Sequence, residues 1–203
     1  MEDSNTRLET FCDGVFAIAL TLLILEIKTP VSENIHTSDD LWQELKHLLP
    51  SVSAFLLSFL IIVIAWIGHN SFMKLIDKST PGFILSNIVL LLSIIIIPFP
   101  TALFAEFGFT AASAPAVVLY SFAMLLSNIS WLLISYTALN PKSLARSEAA
   151  KLVIINISKQ SKFAFIFYSI CFFMAFWFPF SIFIVLTLSY LVWLILTFDY
   201  KEK

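Results

Sequence analysis

Charge is what this chain has least of. Of its 203 residues 13% are Asp, Glu, Lys or Arg and 59% are apolar. Soluble domains carry about 25% charged and about 45–50% apolar residues. A mean hydropathy of +0.91 therefore names lipid as the solvent and the chain as an integral membrane protein. Glycine is scarce as well, and four glycines build no glycine-rich phosphate loop. The two cysteines, Cys12 and Cys171, both fall in apolar segments and read as buried thiols rather than a disulfide. His36 and His47 stand in a loop without Cys or carboxylate at metal-ligand spacing, so no metal site is expected.

Other absences narrow the function. No Ser/His pair, paired Asp or HExxH motif lies in the apolar segments, which removes an intramembrane protease. No TVGYG-like segment exists, so a carbonyl-lined potassium filter is missing, and no helix repeats Arg or Lys at every third position as a voltage sensor does. Neither an enzyme nor a cofactor is expected, and neither a nucleic-acid partner nor a small-molecule substrate. The start, MEDSNTR, lacks the basic region of a signal peptide, so the first apolar run reads as a retained helix.

What the chain has is apolar length. A spanning helix needs about 20 mostly apolar residues, and six segments qualify: 8–27, 49–70, 83–104, 112–138, 163–177 and 181–198. The fifth is short and aromatic, with Pro179 marking a tight turn into the sixth. The fold class expected is all-α, one six-helix transmembrane domain over residues 1–203 without a re-entrant pore loop. With a cytoplasmic N-terminus, ten of the twelve basic residues lie on the inner side. Lys28 and Lys46 are left outside, so both termini are expected in the cytoplasm. The second half of the outer loop Pro30–His47, SDDLWQELKHLL, reads as a short helix that Ser38 could cap, with Leu41, Trp42, Leu45 and Leu48 as an apolar stripe. Asn140–Lys151 reads as the start of a cytoplasmic helix leading into the fifth span. No repeat relates the two halves, so an inverted-repeat transporter gains no support.

Ionisable groups inside a bilayer are rare and costly. At about 1.5 Å per residue, Asp13 lies about 7–8 Å and Asn87 about 6 Å inside the inner boundary, level with His69 and Asn70 at the end of the second span and near Arg7. Two readings stand. In one, Arg7 or His69 pairs with Asp13 and the amides complete a cluster that ties the first helix to the second and third. In the other, Asp13 and His69 form a proton or ion site. At about 100° per residue, Phe11, Gly14, Ile18, Leu22 and Leu25 share one face of the first helix, with Asp13 about 140° from Ile18. Asn128, Ser121, Ser127 and Ser130 in the fourth span read as interhelical hydrogen-bonding residues. Glu26 and Glu106 sit near the outer boundary.

RLETFCDGVFAIALTLLILEI, from Arg7, closely resembles the first-helix signature RxxxFSDGVFAIAhTLLhLEI of the prokaryotic transmembrane protein 175 family, relatives of the endosomal and lysosomal potassium channel. WIGHNSF, Trp66 to Phe72, is similar to its second-helix pattern, and PFPT, Pro98 to Thr101, to its third-helix ending. The resemblance implies a potassium-preferring channel in a prokaryotic cell membrane. Single-repeat members form homotetramers whose first helices line the pore with rings of large apolar side chains. Carried over, the constriction would be Ile18, Leu22 and Leu25, with Thr21 beside it and Glu26 at the outer mouth. The set Arg7, Phe11, Cys12, Asp13, Trp66, His69, Asn70 and Asn87 would be an interhelical scaffold. Cys12 replaces the family's serine, a weaker hydrogen-bonding group.

Overall fold

The computed structural model describes residues 4–31 and 35–199. Its elements are α1 (Ser4–Leu22), a 3₁₀ turn (Leu23–Glu26), α2 (Ser38–His47), α3 (Leu49–Met73), α4 (Pro81–Ile96), α5 (Pro98–Phe107), α6 (Ser113–Leu139), α7 (Glu148–Met174) and α8 (Pro179–Asp199). Among the described residues four stretches are long and apolar enough to cross a membrane: Asn5–Glu26, Leu49–Met73, Pro81–Phe107 and Ser113–Leu139.

The third stretch is two helices rather than the single one expected over 83–104. Pro98 and Pro100 have no backbone N–H to donate, so the helical ladder stops there. Ile97 N–H instead bonds Ile94 O at 3.2 Å in a tightened turn, and Thr101 N–H resumes the ladder on Ile97 O at 3.2 Å. Thr101 Oγ1 also donates to Ile97 O at 2.7 Å and meets Ser58 Oγ of α3 at 2.6 Å. The break is thus stitched to the neighbouring helix.

α7 departs from expectation at its start. Residues 140–147 form a loop rather than a helix, and α7 runs unbroken from Glu148, where Ser147 caps it by accepting from Ala150 N–H at 3.1 Å. Two bonds hold the loop to the α3–α4 connection: Asp77 N–H to Leu144 O and Arg146 N–H to Leu75 O, both 2.8 Å. Pairing the loop with another strand of chain satisfies backbone groups that a helix would have used internally. The first half of α7 carries Glu148, Lys151, Lys159 and Lys162, and its apolar half begins at Phe163.

α2 starts as a capping box, with Thr37 rather than Ser38 as the cap. Asp40 N–H donates to Thr37 Oγ1 at 3.2 Å, and Asp40 Oδ2 accepts from Thr37 N–H at 2.8 Å and His36 N–H at 3.1 Å. Its apolar stripe, Leu41, Trp42 and Leu45, is exposed rather than packed on the bundle, which suits a helix lying at a lipid interface. An aromatic cluster joins α5, α6 and α8: Phe104 stacks on Phe183 with ring centroids 3.6 Å apart, and Tyr120 lies edge-on to Phe183.

Candidate pore helix and its braces

α1 divides into two faces. Leu8, Cys12, Phe16, Ala19 and Leu23 recur at helical spacing and are buried against α3 and α4. The opposite face is free: Phe11, Ile18, Leu22 and Leu25 are 58%, 59%, 44% and 70% exposed, as are Thr10, Gly14, Ala17 and Thr21. A Cβ added at Gly14 would meet nothing within 4 Å. Cys12 is fully buried and free, and apolar packing takes the place of a hydroxyl's hydrogen bond.

The 3₁₀ turn alters the helical wheel. With three residues per turn, side chains three apart eclipse, so Leu25 stands almost directly above Leu22 instead of about 60° round from it, as regular α-helix would have it. Thr21 Oγ1 donates to Ile18 O at 2.8 Å, which leaves its lone pairs outward. Glu26, which ends the turn, is half-buried.

Asp13 has a partner, and it is neither residue first considered. Trp66 Nε1 of α3 donates to Asp13 Oδ1 at 2.8 Å. Among the described residues neither Arg7 nor His69 lies within ion-pair distance of Asp13. Arg7 is exposed, where its guanidinium keeps water. His69 is buried, its Nε2 2.9 Å from Asn87 Oδ1, while Asn87 Nδ2 donates to Phe83 O at 2.8 Å. Phe16 packs on the His69 ring at 5.6 Å between centroids. The expected cluster is therefore two separate braces, Asp13–Trp66 between α1 and α3 and His69–Asn87 between α3 and α4. Asn70 is half-buried and joins neither brace.

Comparison with known proteins turns on this same half of the chain. The family model described as endosomal/lysosomal potassium channel TMEM175 matches residues 7–98, from Arg7 in the first turns of α1 to the proline that breaks α4 from α5. A potassium channel of Chamaesiphon minutus is 36% identical over 163 residues, 80% of each chain. This chain belongs to the TMEM175 family. Its place is among the prokaryotic members: a potassium channel of Streptomyces collinus is 34% identical over 135 residues, 64% of each chain. The crystal structure of a lysosomal potassium-selective channel TMEM175 homolog from Chamaesiphon minutus superposes with a TM-score of 0.78 at 31% identity, covering 93% of this chain and 96% of that one.

Some TMEM175-fold contacts gave no warning in the sequence. Ser58, fully buried, links Thr101 and, at 3.4 Å, Tyr120. Ser86 meets Thr137 at 3.0 Å. At the start of α1 Asn5 Nδ2 donates to Ile76 O at 3.5 Å, Arg146 Nη2 reaches the same carbonyl at 3.4 Å, and Ser79 Oγ donates to Asn5 Oδ1. Isolated Ser, Thr and Asn residues in apolar helices carry no pattern that names their partners. The serines expected to bond between helices do otherwise: Ser121 and Ser130 donate to Val117 O and Leu126 O of their own helix, both at 2.8 Å, the usual back-bond of a helical serine.

Proposed function

We propose that the chain forms a homotetrameric, potassium-preferring cation channel of a prokaryotic plasma membrane, six spans per copy, with both termini cytoplasmic. Four copies of α1 surround the axis. Ile18 forms the inner apolar ring, Leu22 and Leu25 the eclipsed outer pair, Thr21 hydroxyls flank them and Glu26 adds negative potential at the outer mouth. The observation that carries this reading is the composition of the free face of α1. A face turned to hydrocarbon is filled with large apolar side chains. Here Thr10, Gly14, Ala17 and Thr21 stand exposed alongside Phe11, Ile18, Leu22 and Leu25. Small and hydroxyl-bearing residues interrupted by apolar rings suit a water column with constrictions. The ion is taken from the relatives, which are named potassium channels.

Apolar constrictions gate by dewetting. Sodium holds its water more tightly than potassium, so a ring that strips water penalises sodium more and yields a modest preference. Bi-ionic reversal potentials in planar bilayers test the assignment. Ile18→Asn should raise conductance and abolish the preference, and Leu22→Ala and Leu25→Ala should weaken it. If all three variants keep the wild-type conductance and preference, α1 does not line the pore.

A further inference from the structure

A cavity of about 330 Å³ lies between α3, α6, α7 and α8, with Ala65 and Gly68 on one wall and Val153 and Ile157 on another. Trp66 and His69 do not line it, so it is separate from the braces of α1. No charged side chain faces it. Its size falls at the small end of ligand pockets, about 300–1,000 Å³.

One polar atom faces this cavity without the partner that burial demands. Asn128 is 6% exposed and Tyr190 4%, both line the cavity, and no protein group hydrogen-bonds Asn128 Oδ1. The Tyr190 hydroxyl interacts with the Tyr120 phenol only through looser geometry than a full hydrogen bond. Ser71, Ser127, Gln160 and Ser161 also line the wall, and Trp193 Nε1 donates to Tyr168 Oη at 3.0 Å.

We infer that this cavity binds an uncharged amphipath, an apolar body with a hydroxyl head that donates to Asn128 Oδ1 and meets Tyr190 Oη. Uncharged walls exclude an ion, because burying a charge without a counter-charge is prohibitive. Ordered waters need two to four polar partners each, and the stretch of wall formed by Ile61, Ile64, Ala65, Met124, Val153 and Ile157 supplies none. A medium-chain alcohol or a phenol matches the volume and the unpaired Asn128 acceptor. A bilayer glyceride offers the same chemistry through its free hydroxyl and one acyl chain.

Photolabelling of the full-length protein in liposomes with a diazirine-bearing octanol tests this. Saturable labelling of α3, α6, α7 and α8 around Asn128 is expected, displaced by excess octanol and not by octane. Asn128→Leu should weaken it about fivefold to tenfold, the loss of one buried hydrogen bond. Ala65→Phe, or Ser127→Leu if the first does not fold, should abolish it by filling the space. Displacement by a monoacylglycerol as well as by octanol assigns the site to a lipid, and displacement by octanol alone to a diffusible alcohol. Labelling that never saturates, that spreads over the outward Phe163 and Ile166, that is equal for an octane probe, or that is unchanged in Asn128→Leu overturns the proposal.

Discussion

At the scale of single residues, the acid near the start of α1 is held by an indole. Hydrogen bonds between membrane helices average about 0.6 kcal/mol and reach about 1.7 kcal/mol. Trp66→Phe and Asp13→Ala should therefore each lower thermal stability, and a double-mutant cycle should return a coupling of that size. Zero coupling would mean the contact is incidental. Asp13→Asn keeps an oxygen for the indole to bond, so potassium flux should persist, whereas a proton pathway through Asp13 and His69 requires the titrating carboxyl and would lose transport. Asn87→Leu strands buried His69 and should cost about 1–3 kcal/mol, read by thermal melting. That Asp13 and His69 need partners was legible from their depth in an apolar run. Which partners they take was not, because an indole N–H on α3 leaves no trace in charge pattern, and Arg7 looked better on charge alone.

At the scale of elements, breaks decide the geometry. The proline pair after Ile97 was visible in the sequence, but the stitch from Thr101 to Ser58 was not, since it depends on how α5 leans on α3. Gly108 ends α5, and a Cβ there would come within 2.5 Å of the Phe104 ring and carbonyl. Phe104 is itself stacked on Phe183 and cannot yield. Gly108→Ala should cost about 1–3 kcal/mol, as overpacked sites do, and a melting temperature equal to wild type would refute the crowding. The α2 capping box predicts a pH response. Backbone N–H of His36, then the hydroxyl and backbone N–H of Thr37, hold the Asp40 carboxyl below the ordinary aspartate range. A depressed value means the cap is complete at and above that ordinary range, about 3.9, and fails as pH falls through the lower folded value. Protection of the α2 amides against hydrogen exchange should stay level from about pH 8 to about pH 5 once intrinsic exchange is corrected. A transition near neutrality would refute the Asp40 cap as the titrating element.

At the scale of the whole molecule, hydropathy was enough to find the first four crossing stretches, because a bilayer demands apolar length from every one of them. For the fifth it marked only the apolar half of α7, which continues as one helix through charged turns that a hydropathy window discards. Arrangement around an axis is invisible to it. Four α1 helices at one axis should let Ile18→Cys cross-link between copies under mild oxidation, the native Cys12 and Cys171 being buried. Leu8→Cys, on the packed face, should not cross-link. Equal behaviour of the two would place the free face against lipid.

The meeting of three chain segments on Ile76 has a mechanical consequence. Asn5 anchors the first turn of α1 to the connection that Arg146 also grips, while the 3₁₀ turn at the far end is held by the packing of Leu23. α1 is thus tied by hydrogen bonds at its N-terminal root and by packing at its tip, so any bending should grow toward the tip. Bending would displace Leu25 more than Leu22 and Leu22 more than Ile18. Spin labels at these positions in the assembled protein should give distance distributions that broaden outward in that order.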